Sequence, residues 1–168
     1  MDRTNLGGPD GSAVWATPAV TGSRRPNLFA QTTRHEIAVS AASTRYLAAG
    51  YSWARDERPP RVRSHVADGV AIKGDQLTLI EVELTPKRAD RYAMILARFR
   101  LRIEAGAADR VVFLCNPDSA YTVRAALRQP SAKRVADLVD VREVFDPRTA
   151  HWGDDVLPAW LSSTGAST

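Results

Sequence analysis

The chain carries a single cysteine, Cys115, so no intrachain disulfide can form and stability must come from packing. It has three lysines against 20 arginines. It has no long apolar run: even "VVFLC" at 111–115 is far too short to cross a bilayer. No basic stretch followed by an apolar one opens the sequence, so no secretory signal is expected, and the chain is expected in the cytoplasm. A phosphate-binding G-x-x-x-x-G-K-[ST] loop, a G-x-G-x-x-G turn and paired Cys/His zinc spacings are all missing. These absences set aside nucleotide-binding, dinucleotide-binding, zinc-centred and membrane-spanning classes.

What is present is an ordinary globular composition, 44% hydrophobic and 25% charged over 168 residues, with a net charge of +4. That charge is unevenly spread. Residues 85–134 hold eleven basic and four acidic side chains, a local excess of +7, and the remainder of the chain is −3. Such asymmetry suits a polyanionic partner or a solvated basic face.

Residues 1–27 are rich in Gly, Pro, Ser and Thr and show no apolar period; they read as a flexible tail, with or without a short tethered piece around Val14–Trp15. Residues 161–168 read as a second tail, leaving 28–160 as one domain. Within it, "TTRHEIAVSAASTRYLAAG" predicts a helix capped by Thr32 or Thr33 and ended by Gly50, with Ile37, Ala41, Thr44 and Ala48 on one face. "YSWARDE" predicts a short strand. "RSHVADGVAI" and "QLTLIEVELT" predict a hairpin turning at "KGD". "TPKRADRYAMILARFRLRIEAG" predicts a helix capped by Thr85, with Pro86 in its first turn, Gly106 at its end, and Tyr92, Ile95, Leu96, Phe99 and Ile103 sharing a face. "RVVFLC" predicts an inner strand. Asn116 and Pro117 open a further helix to Arg128. A helical turn and a strand near Val141–Phe145 follow, and "HWGDDVLPAW" reads as a cover. The class is α/β, with a mixed central sheet flanked by helices.

The chemistry concentrates in the hairpin. Strand alternation sets Glu81 and Glu83 on one face of "LIEVEL". A hairpin closed at "KGD" pairs residues whose numbers sum to roughly 148 to 150, which brings Asp68 beside Glu81 or its neighbours. Converging carboxylates repel one another, and a hard divalent cation such as Mg²⁺ is the usual remedy. The other reading is a set of exposed acids balanced by nearby arginines. Lys87 either reaches back to these acids or stays a surface lysine. On the long helix Arg88, Arg91, Arg98 and Arg102 span an arc of about 80°. They either line a groove for phosphates or lie over the core edge and pair with Asp90 or Glu104.

"HVADGVAI", the hairpin and "IEVEL" followed by a helix resemble the core of the PD-(D/E)XK nuclease superfamily, whose elements run α-β-β-β-α-β. More narrowly, "HE", "ADG", "EVELTPK" and "RY" resemble the replication-relaxation proteins of plasmids and other mobile elements, over about residues 33–115. The resemblance implies a restriction-endonuclease-like fold and a Mg²⁺- or Mn²⁺-dependent DNA nuclease or nicking protein. It implies that Asp68 and Glu81 bind the metal, the Val82 carbonyl adds a ligand, and Glu36 approaches as an accessory acid. Two positions depart from the pattern: Ala67 stands where a proline is usual, and Glu83 stands where the catalytic lysine is expected. Lys87 is then the substitute lysine, or Glu83 is a further metal ligand, or the site binds DNA without cutting it. A plain interaction domain is the remaining reading. The partners implied are DNA, a protein supplying the winged-helix domain that the resemblance places ahead of the nuclease-like one, and a second copy of the chain.

Overall fold

The computed structural model describes residues 2–5, 12–15, 31–56 and 66–144. The tail read over 161–168 and the "HWGDDVLPAW" cover lie outside the described residues. Strands β1 (Asp2–Asn5) and β2 (Ser12–Trp15) form a two-stranded antiparallel sheet inside the stretch that shows no apolar period. The intervening "LGGPDG" is rich in turn-forming residues, the hairpin signal that composition alone obscures.

The main body runs α1 (Gln31–Ala48), β3 (Ser52–Ala54), β4 (Gly69–Lys73), β5 (Gln76–Glu83), α2 (Ala89–Glu104), β6 (Arg110–Cys115), α3 (Pro117–Leu127) and β7 (Val139–Glu143). A 3₁₀ turn at Ala136–Leu138 leads into β7. The sheet order is β3-β4-β5-β6-β7. β3, β4 and β5 pair antiparallel, whereas β5, β6 and β7 pair parallel, so the sheet is mixed. This is the α/β architecture and element order expected from the sequence.

Period-two alternation sorts the sheet into two cores. On one face Ile80, Val82, Val112 and Leu114 pack with Ala38, Val39, Ala42 and Tyr46 of α1. On the other, Leu79, Val111, Phe113 and Cys115 pack with Tyr92, Ile95, Leu96 and Phe99 of α2 and Ala120 and Val123 of α3. The stripe of α2 is the expected one. The stripe of α1 is not: Ala38, Val39, Ala42 and Tyr46 are buried, while Ile37 is half-buried and Thr44 and Ala48 are exposed. Tyr46 brings the largest apolar area on that helix, and its ring contacts with Tyr51 and Trp53 set the phase.

Two caps also differ. α1 begins at Gln31, so Thr32 and Thr33 lie in its first turn. α2 begins after Arg88, which gives no side-chain cap bond, and Thr85 instead accepts a hydrogen bond from Gln31 Nε2 at 2.9 Å. Gly50 and Gly106 end α1 and α2 with φ of 81° and 69°, the left-handed conformation that favours glycine. Asn116 caps α3, its side chain accepting from the Ser119 amide at 2.8 Å.

Candidate functional site

The site lies where two paired strands part. β4 and β5 are in register from Lys73↔Gln76 to Gly69↔Ile80, a constant sum of 149. Asp68 immediately precedes Gly69, so it stands level with Glu81. Beyond Ile80, β5 runs on to Glu83 beside β6 alone, ending at Glu83↔Cys115. The Val82 amide, on the edge that β4 has left, needs an acceptor. Asp68 supplies it: Oδ2 accepts the Val82 N–H at 2.8 Å. Its other oxygen, Oδ1, lies 2.8 Å from His35 Nε2.

At the strand end Glu83 has a cationic partner in Lys87. Glu81 and Glu83 share the Leu79 face and are 3% and 4% exposed, so their charge is felt in a poorly solvated place. Lys87 reaches back and pairs with Glu83. Burial nevertheless pushes the Glu83 carboxyl above its ordinary range, against the pull of the Lys87 hydrogen bond. Lys87 is itself placed by its backbone, whose N–H donates to the buried Tyr92 hydroxyl at 3.1 Å. Glu36 pairs with Arg55, and Arg55 Nη1 also donates to the Asp68 carbonyl at 3.3 Å. The hydrogen bond to Asp68 raises the His35 pKa above 6.5, with further upward pull from Glu81 and Glu36 and an opposing effect of burial.

A cleft of about 590 Å³ opens at this end of the sheet. Arg34, His35, Glu36, Glu83, Lys87 and Asn116 are among its lining residues. Asn116 fixes the floor by donating from Nδ2 to the Leu84 carbonyl at 2.8 Å.

The structure thus brings Asp68, Glu81, Glu83 and Lys87 to one strand end, with Glu36 at the cleft wall. Arg88, just ahead of α2, and Arg91, Arg98 and Arg102 within it are not gathered there in the same way. Arg88 and Arg91 are exposed, Arg88 with Asp90 3.4 Å away, and Arg98 is half-buried. Arg102 is turned to Asp56. His35 is the residue that sequence reasoning left aside. Its signal was the "HE" pair, whose two side chains diverge by about 100°; His35 faces Asp68 and Glu36 faces Arg55. Cys115 is buried, and burial pushes its thiol up, away from nucleophile chemistry.

Mg²⁺ is commonly held by one or two carboxylates, with water and substrate phosphate completing its shell. Asp68 and Glu81 stand level with one another and are hard oxygen donors; both Asp68 oxygens are engaged by His35 and the Val82 amide, and neither residue lines the cleft. Among the described residues no group of three or more His, Cys, Asp or Glu side chains is spaced to hold a metal ion. With Glu83 engaged by Lys87, the set narrows to the two carboxylates. Comparison of the chain with protein-family models, curated proteins and solved structures finds no match.

Proposed function

We propose that the protein is a divalent-cation-dependent phosphodiesterase that cuts or nicks DNA in the cytoplasm, in the manner of the replication-relaxation proteins its motifs resemble. The observation that carries this reading is Asp68 standing level with Glu81 where β4 and β5 part, with Lys87 folded back to the same strand end. Asp68 and Glu81 would hold Mg²⁺ or Mn²⁺, which when bound polarises a phosphodiester and makes a coordinated water a better nucleophile. The chain's own residues do the rest. The Val82 amide and His35 hold the Asp68 carboxylate in one orientation. Lys87, absent from the strand but present at the cleft, supplies a positive charge beside developing negative charge on the phosphate. Arg34 at the cleft, the exposed Arg88 just ahead of α2 and the exposed Arg91 within it offer phosphate contacts along the backbone. A partner protein supplies a winged-helix domain for target choice.

A second reading is a DNA-binding descendant that does not cut. It is favoured by one observation: both Asp68 oxygens and the Glu83 carboxylate are already engaged by donors of the chain itself.

Conversion of supercoiled plasmid DNA in Mg²⁺ or Mn²⁺ separates the two. The nuclease reading expects cleavage by the parent and a loss of at least about a hundredfold in Asp68→Ala. Salt-sensitive DNA binding by both proteins with no cleavage by either leaves the second reading standing. Equal cleavage by both removes the catalytic assignment.

A further inference from the structure

We infer that Asp56 and Arg102 are positioning residues that hold Asp68 in place at the strand end. The inference rests on the reading of Asp68 as a functional carboxylate, but the geometry behind it is separate.

β3 and β4 pair only as far as Ala54↔Val70. Among the described residues, Val66, Ala67 and Asp68 lie outside the β-ladders, and fixing residues there without ladder bonds costs conformational entropy. Two adjacent side chains at the end of β3 take over. Asp56 Oδ2 accepts the Ala67 N–H at 2.8 Å, and Arg55 Nη1 donates to the Asp68 carbonyl at 3.3 Å. The peptide group ahead of the Ala67 α-carbon and the one after the Asp68 α-carbon are therefore both tied, so the two-residue step Ala67–Asp68 is held at each end.

Asp56 is in turn held from α2. Both terminal nitrogens of Arg102 grip its carboxylate, Nη1 on Oδ2 and Nη2 on Oδ1, the latter at 3.1 Å. This fork fixes the plane of the carboxylate as well as its position. The Asp56 side chain is 8% exposed, so its charge depends on that partner. The result is a relay from α2 through Arg102 and Asp56 to the Ala67 amide, then to Asp68 and, through Asp68 Oδ2, to the Val82 amide. Arg102 thus serves the site from behind it, without contacting phosphate.

A plain staple between loop and helix would use the same ion pair, so the test must read Asp68 itself. The Val82 amide does this, because its acceptor is Asp68 Oδ2. Hydrogen exchange at Val82, referred to that at Val112 in the middle of β6, separates local loosening from global loss of stability. Asp56→Ala removes the acceptor for Ala67; Asp56→Asn keeps a carbonyl oxygen for it and gives up the charged fork. The relay predicts Val82 exchange about tenfold faster relative to Val112 in Asp56→Ala, and close to parent in Asp56→Asn. An unchanged ratio in Asp56→Ala, or an equal change in the two variants, overturns it. Titration of the same proteins with Mn²⁺ adds the functional arm: binding weakens about tenfold or more in Asp56→Ala and less in Asp56→Asn. A parent that binds no Mn²⁺ overturns the metal reading, and the amide ratio then decides the relay by itself.

Discussion

Lys87 and Glu83 form a pair four residues apart in which one member is nearly enclosed and the other is half open to solvent. Removing the cation leaves an enclosed carboxylate to find another solution. Lys87→Met is therefore expected to lower stability by about 2 kcal/mol, less than for a fully buried pair because Lys87 is partly solvated. Adding Glu83→Leu to it should recover most of that loss; denaturant midpoints of the single and double variants check this. His35 gives a second readout at this scale. Its raised pKa comes first from the Asp68 hydrogen bond. A histidine whose folded pKa lies above its unfolded value adds stability that is fully present below the unfolded value and is lost as pH rises through the folded one. NMR titration should place His35 above 6.5 in the parent and lower in Asp68→Asn. The sequence left Lys87 between two readings, reaching back or staying at the surface, and the pair with Glu83 decides for the first. The place of His35 was not, because it depends on the phase of α1, and that phase is set by Tyr46 rather than by Ile37.

The β4–β5 hairpin is the element most fully legible in the chain. Gly74 turns with φ of 59°, and the pairing that follows puts Asp68 opposite Glu81 within the expected register. What alternation does not reveal is why Gly69 follows Asp68. A Cβ at Gly69 would lie 2.0 Å from Trp53 Cζ2, since the indole of β3 lies directly over that position. Gly69→Ala must displace the indole or the strand, and an expected loss of about 2 to 3 kcal/mol follows from overpacking. Equilibrium denaturation measures it, and the displaced Trp53 should show in the fluorescence maximum. The arginines of α2 show the limit of helical geometry. Their arc on the helix is real, yet Arg102 turns to Asp56, a residue 46 positions away that no local pattern links to it. Thr85 is a similar case: its sequence context suits a cap, but Gln31 of α1 claims its hydroxyl.

For the whole molecule, the α/β class and the order of elements could be read because each strand and helix carries its own period. The sheet order could not, since parallel pairing of β5, β6 and β7 is decided by tertiary packing. Among the described residues no helix is long and apolar enough to cross a membrane. The excess of basic charge over 85–134 is expected to act collectively on a polyanion. DNA affinity should fall steeply as salt rises, and Arg91→Ala should weaken binding on all sequences and lower the slope of log K against log salt by about one unit. Fluorescence anisotropy across a salt series checks this.

The central claim concerns two carboxylates at one strand end, and calorimetric titration of the parent, Asp68→Ala, Glu81→Gln and Glu36→Gln with Mn²⁺ addresses it most directly. The account predicts one Mn²⁺ site in the parent, lost in Asp68→Ala and in Glu81→Gln and kept in Glu36→Gln, whose carboxylate is turned to Arg55. Equal Mn²⁺ binding by all four proteins, or none by the parent, would contradict it.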